Sequence, residues 1–356
     1  MIRIAYVINY IVKNGPSSVV LNIINNLDRE KYDVSLITLF SGNDPEVIEH
    51  LKSNGVSVYE CTTLSRMKCL LGQSKEFDDI VRSERFDILH THGLIPDIVA
   101  SKPNVPAKKI STLHNNMYED YLDSYGWIKS RIFIMLHLNA LKKLDECVCC
   151  SESVYEVMKQ KLSNTTFIRN GIEPVKAQSV VMREDLDIPK EARVFLYAGV
   201  LNSRKNIVWL IENFVQYHNE DEYLLVLGKG DKEAECKEKT DSHVQMLGFQ
   251  PDPVAYMKIS DVYTSASKSE GFSISVLEAL SCGLGLFLSD IPSHREVVKM
   301  GQDVYLGETF TQDCFRVKLN ALRESEMNRT DITALQEKEL SAKRMTASYQ
   351  KRYEVQ

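Results

Sequence analysis

Short apolar runs alternate with amphipathic stretches along the first half of this chain, and after one break the same alternation starts again. Residues 2–8 and 32–39 read as strands around a helical stretch at 17–27. The series continues with a helix near 45–53, a strand at 56–59, a helix near 74–82 and strands at 88–90, 110–113 and 146–150. Strand, helix, strand in that order is a βαβ crossover, which makes neighbouring strands parallel and puts helices on both faces of the sheet. The pattern breaks after 167, where Asn170-Gly171 is followed by a polar stretch containing Pro174 and Pro189 without periodicity. A second series begins with a strand at 193–199, a helix at 207–217 and strands at 223–227 and 244–247. The chain therefore predicts an α/β protein of two Rossmann-like halves, with ligands at the carboxyl ends of the strands and in a cleft between the halves. A length of 356 residues agrees, because one hydrophobic core rarely grows that large.

Composition narrows the class of partner. The formal charge is -6, yet residues 1–170 carry as many acidic as basic side chains, so the acidity falls in the second half. A nucleic-acid partner would want a basic face, and none is expected. Residues 1–8 lack the basic start and cleavage site of a signal peptide, and the apolar stretch 132–141, interrupted by His137 and Asn139, is too short to span a bilayer. The eight cysteines have no paired metal spacing, and Cys147, Cys149 and Cys150 read as part of a buried strand. A reduced, cytoplasmic chain follows as the expectation.

The most informative segment is 269–283, Ser-Glu-Gly-Phe-Ser-Ile-Ser-Val-Leu-Glu-Ala-Leu-Ser-Cys-Gly. It joins a loop carboxylate, Glu270, to a tight turn and a helix that starts near Ser273 and stops at Gly283. A helix start presents unpaired N–H groups and the positive end of the dipole, which suit a pyrophosphate. Glu270 and Glu278 each offer a carboxylate to sugar or ribose hydroxyls. Spacing alone equally allows a surface loop followed by a packing helix. A second segment, 198–206, ends a strand with Gly199 and carries the Arg204-Lys205 pair, whose charges suit a diphosphate leaving group. A third, Ser111-Thr112-Leu113-His114-Asn115, puts His114 at a strand end. His90 and His92 lie at another, but the three histidines have no recognisable metal spacing. Asn14-Gly15-Pro16 follows the first strand, and Gly248-Phe249-Gln250 follows the strand at 244–247.

Taken together these segments resemble the retaining glycosyltransferases of family 4, whose E-x7-E motif matches Glu270 to Glu278. The resemblance spans nearly the whole chain. It implies the GT-B architecture: an acceptor-binding Rossmann-like domain over 1–168, a nucleotide-sugar-binding one over 169–338, and a C-terminal helix over 339–356 that returns to the first domain. It implies that Glu270 contacts the donor sugar, that Glu278 contacts the ribose, and that the backbone around Gly271, Phe272, Ser273 and Ile274 holds the sugar or diphosphate. By the same match Arg204 and Lys205 sit on the phosphates beside Gly199, His114 hydrogen-bonds the sugar, and Gly248, Phe249 and Gln250 meet the base. Gly15 stands where the family has a glycine pair, and Pro16, which lacks an N–H, leaves fewer contacts there.

The expected activity is retaining transfer of a hexose from a nucleotide-diphosphate sugar, a UDP-sugar as first choice, to a glycan hydroxyl. No cofactor and no metal are expected, since the donor is a substrate and the one D-x-D string, Asp185-Leu186-Asp187, falls in the polar linker. No carboxylate stands out as a covalent nucleophile, so a front-face displacement is the expected route. A basic and aromatic stretch at 127–143 fits either a membrane surface or an ordinary buried helix. A lipid-linked acceptor in bacterial capsule, exopolysaccharide or envelope synthesis, met peripherally on the inner face of the membrane, is the first expectation. A soluble or protein acceptor is the second. A nucleotide-sugar epimerase of the same fold, or a non-catalytic glycan-binding relative, remains as an alternative of another class.

Overall fold

A computed structural model describes residues 1–102, 107–300, 304–307, 312–325 and 327–354 of the chain. It folds as two compact units, one made of Met1–Gly171 and Ala342–Gln356, the other of Ile172–Ser341. Residues 355 and 356, the end of the span expected to form the returning helix, lie outside the described residues.

The first unit is built on a parallel sheet of β1 (Ile2–Ile8), β2 (Tyr32–Thr38), β3 (Ser57–Glu60), β4 (Ile88–His92), β5 (Lys108–Leu113), β6 (Glu146–Cys149) and β7 (Thr165–Phe167). Their order is β3-β2-β1-β4-β5-β6-β7. Helices cover both faces, so β1 is buried without interruption from Ile4 to Ile8, as the continuous apolar run requires. The unit is completed by the helix Ala342–Glu354, which packs on the helix Gly15–Asn26. Its tyrosines bury a polar network in the sheet. Tyr353 bonds Tyr6 (3.0 Å) and His90 Nδ1 (2.8 Å), while Thr112 bridges His90 Nε2 and Tyr349 at 2.8 Å each. Cys147, Cys149 and Cys150 are buried, and all eight cysteines are free thiols.

The second unit repeats the plan with β8 (Arg193–Ala198), β9 (Glu222–Leu227), β10 (Val244–Gly248), β11 (Val262–Ser265), β12 (Gly285–Ser289) and β13 (Val304–Gly307), ordered β10-β9-β8-β11-β12-β13 and all parallel. In each unit the first strand is the switch point at which successive crossovers reverse direction, the place where such sheets bind ligands. The chain enters and leaves the second unit side by side. Ile172 pairs with Ser341, and its N–H donates to Leu340 O at 3.0 Å. Asp185 lies within a 3-10 turn, Glu184–Leu186, and Asp187 caps its end, both exposed.

Candidate active site

A buried assembly of charge in the second unit joins the loops that follow β8 and β11. Lys268 N–H donates to Arg204 O at 2.9 Å, and the Arg204 guanidinium donates to Ser269 O at 2.8 Å, so the two loops are fastened by backbone as well as by charge. Glu270 takes both cations: Lys205 Nζ lies 2.5 Å from one carboxylate oxygen and Arg204 Nη1 3.3 Å from the other. Only 7% of the Glu270 side chain is exposed. Burial by itself would favour the neutral acid, but the charges of Lys205 and Arg204, with hydrogen bonds from Lys205 and Ser267, overcome it and hold the carboxyl at about 2. Glu270 is therefore a permanent anion that fixes two cations at the end of the sheet.

Just beyond Glu270 the helix Ile274–Ser281 begins, with Ser273 as its N-cap. The Ser273 side chain makes no capping bond, which leaves the helix start without its usual internal oxygen acceptor. Gly271 and Phe272 are buried, Ser273 and Ile274 are partly exposed, and Gly283 ends the helix at φ 74. Glu278, on this helix, has no compensating cation among the described residues, and burial raises its carboxyl to about 7.

This shift has a consequence for stability. A carboxyl held up by folding contributes its full stabilisation below its unfolded value and loses it as pH rises through the folded one. Relative to Glu278→Gln, the wild-type protein should therefore lose up to about 3 kcal/mol between pH 4.5 and pH 8. Urea midpoints of the two proteins at the two pH values measure the difference, and parallel changes would remove burial of Glu278 as the cause.

The strand-end glycines are tied to one another by their backbones. Gly199 N–H donates to Leu227 O (3.0 Å) and Gly228 N–H to Gly248 O (2.7 Å), so the ends of β8, β9 and β10 are hydrogen-bonded in series. Gly248 has φ 67, Gln250 folds back on Leu247 O (2.8 Å), and Phe249 is left 59% exposed beside them. An exposed ring at a strand end offers a flat face to a base.

His114 and Gly15 belong to the first unit. His114 follows β5, and burial lowers it to about 4, so the ring is neutral at physiological pH. Its Nε2 lies 3.0 Å from His92 Nδ1. Gly15 opens the helix Gly15–Asn26, where Asn14 Oδ1 caps Ser17 N–H at 2.9 Å. His90 and His92 are buried, and both are held neutral by burial.

Sequence reasoning passes over His294. It sits in the helix Pro292–Val298 after β12, 2% exposed, with Nδ1 bonded to Ser289 O at 2.8 Å and Nε2 buried without a partner. Burial lowers its pKa, while the field of Glu270 acts in the opposite sense and that of Lys205 in the same sense. The apolar run 284–288 followed by Pro292 was the available signal for a strand end with a functional loop.

With this geometry in hand, the likeness to known proteins is informative. Anabaena HepE, solved in complex with UDP and glucose, matches at a TM-score of 0.81 over 99% of both chains, with 14% sequence identity. Two family models match in tandem: Glycosyltransferase Family 4 over residues 13–176 and Glycosyl transferases group 1 over residues 180–338. The protein is thus a glycosyltransferase of the GT-B fold. Among curated relatives, the O-antigen biosynthesis glycosyltransferase WclY of Escherichia coli is 28% identical, covering 83% of this chain and 82% of its own. A UDP-Gal:alpha-D-GlcNAc-diphosphoundecaprenol alpha-1,3-galactosyltransferase of Escherichia coli is 26% identical, covering 90% and 87%. Residues 13–176 of this chain form a Glycosyltransferase Family 4 domain.

Proposed function

We propose that the enzyme transfers a hexose, with retention of configuration, from a UDP-sugar to a hydroxyl of a lipid-linked glycan in the assembly of a bacterial envelope or capsule polysaccharide. The observation that carries the donor half is the buried Arg204–Glu270–Lys205 group ahead of an uncapped helix start. As the glycosidic bond breaks, negative charge collects on the leaving diphosphate. Two fixed cations and the helix amides stabilise that state more than the ground state, and their orientation is set before the donor arrives. Glu270, ionised throughout the working pH range, holds those cations and accepts from hydroxyls of the transferred sugar. Glu278 takes the ribose, and Phe249 with the backbone of Gly248 and Gln250 takes the base. His114, a neutral imidazole, hydrogen-bonds the sugar. In a front-face displacement the departing phosphate oxygen accepts the proton of the acceptor hydroxyl, and the new bond forms on the face that the diphosphate leaves.

The acceptor half rests on the helix Met117–Leu141. Its inner side is held by a polar chain, Tyr121 to His137 Nδ1 and His137 Nε2 to Asp97, each at 2.7 Å. Met117, Ala140 and Leu141 are buried, but after a kink at Gly126 a set of apolar side chains points out: Trp127 is 62% exposed and Ile128 66%, with Ile132 and Met135 also exposed. This argues against the ordinary buried helix. Arg131 lies over the Trp127 ring, and Lys129 adds a second charge to a surface suited to an anionic bilayer. The name of one Escherichia coli relative gives a diphosphoundecaprenol-linked sugar as acceptor, and that of the other gives O-antigen biosynthesis, an envelope glycan.

One experiment tests the whole reading. The protein is incubated with a panel of nucleotide sugars, with and without a polyprenyl-diphosphate-linked sugar in anionic liposomes, and free nucleotide and product are measured. One UDP-sugar should release UDP only when the lipid acceptor is present. Replacing Trp127 and Ile128 by Ser should lower that rate on liposomes and spare it on a short-chain soluble analogue. Interconversion of the donor without acceptor would identify an epimerase, and equal rates with a free sugar would overturn the lipid-linked acceptor.

A further inference from the structure

We propose that the second unit carries a zinc site formed by His218, Asp241 and His243. The site is independent of the transfer chemistry. His218 follows the helix Ile207–Tyr217, and Asp241 and His243 precede β10, so the three meet at the amino ends of the parallel strands, opposite to the Glu270 loop. One ligand atom from each residue lies within 4.8 Å of the others.

The donor and acceptor pattern around the two rings is what singles the cluster out. His218 Nδ1 lies 2.8 Å from Asn219 O, and His243 Nε2 lies 3.2 Å from Glu220 O. A carbonyl oxygen only accepts, so both of these nitrogens carry the proton. In the neutral rings the lone pairs then belong to His218 Nε2 and His243 Nδ1. The first faces Asp241 Oδ2 at 2.8 Å, two lone pairs that a shared proton joins at this distance and that a zinc ion would join after they part by about half an ångström. The second faces the Ser242 hydroxyl, 3.4 Å away. A backbone carbonyl holding the distal nitrogen of a histidine is the outer-shell arrangement that orients imidazoles on zinc.

The rings are also held in place. They lie 4.2 Å apart, His218 stacks on Phe214 at 5.5 Å, and His243 packs against Tyr223 at 5.0 Å. Asp241 is steadied by His243 N–H, which donates to its second oxygen at 2.9 Å. Two imidazole nitrogens, one carboxylate oxygen and a water complete a tetrahedron, and the nitrogen ligands favour zinc over magnesium or calcium. Bound there, the ion would tie the loop after the helix to the loop before β10.

The test uses the full chain, stripped with EDTA and dialysed. Zinc chloride is titrated by calorimetry, and the melting temperature is recorded with and without the metal, with magnesium chloride as comparison. Wild-type protein should bind one zinc per chain and melt several degrees higher with it, and magnesium should do neither. Asp241→Asn and His243→Gln should weaken zinc binding by at least about tenfold to a hundredfold, the loss that even an outer-shell partner causes. Each variant's metal-free melting temperature reports its fold separately. Zinc binding unchanged in both variants, or no binding by the wild type, would overturn the site, the latter leaving His218 paired with Asp241 as an imidazolium alone.

Discussion

Replacing Lys205 by alanine is expected to lower kcat by about a hundredfold to a thousandfold in a protein that still folds, the range seen when one preorganised charge-stabilising donor is removed. Lys205 is the cleaner of the two cations to test. Arg204 also donates to Ser269 O, so its loss would loosen the loop that carries Glu270 as well as remove a charge. Lys205 spends its ammonium on Glu270, and its backbone N–H on Asn202 Oδ1 at 2.9 Å, a bond that alanine keeps. Arginine should rescue poorly, because a planar fork cannot occupy the position of a compact ammonium 2.5 Å from a buried carboxylate. Initial rates of nucleotide release at saturating donor, beside a melting curve, measure the effect. Near-normal kcat in a folded variant would remove Lys205 from the catalytic group.

The largest expected loss of stability comes from a single methyl. In Gly228→Ala the new Cβ would stand 1.8 Å from Gly199 O, a backbone atom that is itself fixed by the bond from Gly199 N–H to Leu227 O. The residue also has φ +141, which L side chains rarely adopt. Neither the new side chain nor its neighbour can move without parting β8 from β9, so the variant should lose more than about 4 kcal/mol or fail to accumulate as folded protein. Gly248→Ala is the matched control. It too has positive φ, +67, but open space around it, and should cost only about 1–2 kcal/mol. Melting temperatures of the pair separate collision from conformation. Equal losses would mean that the close approach of the two loops does not limit the fold.

The strands that could be read from sequence are those flanked by polar turns. The helix Ile207–Tyr217 and the strand Ile2–Ile8 have boundaries written in their periodicity and in the residues that stop them. β11 and β12 carry weaker signals, because Val262–Ser265 and Gly285–Ser289 are short apolar runs that periodicity alone does not separate from helix. The same limit applies to the charged group. Arg204-Lys205 and Glu270 each stand out locally, but nothing in a linear string says that residues 65 apart share one carboxylate. Proximity is decided by the β8–β11 pairing, a long-range event. Buried orphans such as His294 Nε2, and the close approach of Gly228 to Gly199, are properties of packing and have no signature in residue order.

The helix Ala342–Glu354 belongs to the first unit although the whole second unit precedes it in the chain. During synthesis β1, β4 and β5 therefore emerge long before Tyr349 and Tyr353, the groups that satisfy His90, Thr112 and Tyr6. Until then His90 Nε2 and Thr112 have each other, but His90 Nδ1 and the Tyr6 hydroxyl lack the partner that Tyr353 supplies. The second unit, contiguous between Ile172 and Ser341, has no such wait. The later half can therefore complete itself from its own residues, whereas the earlier half is completed by a helix encoded after both.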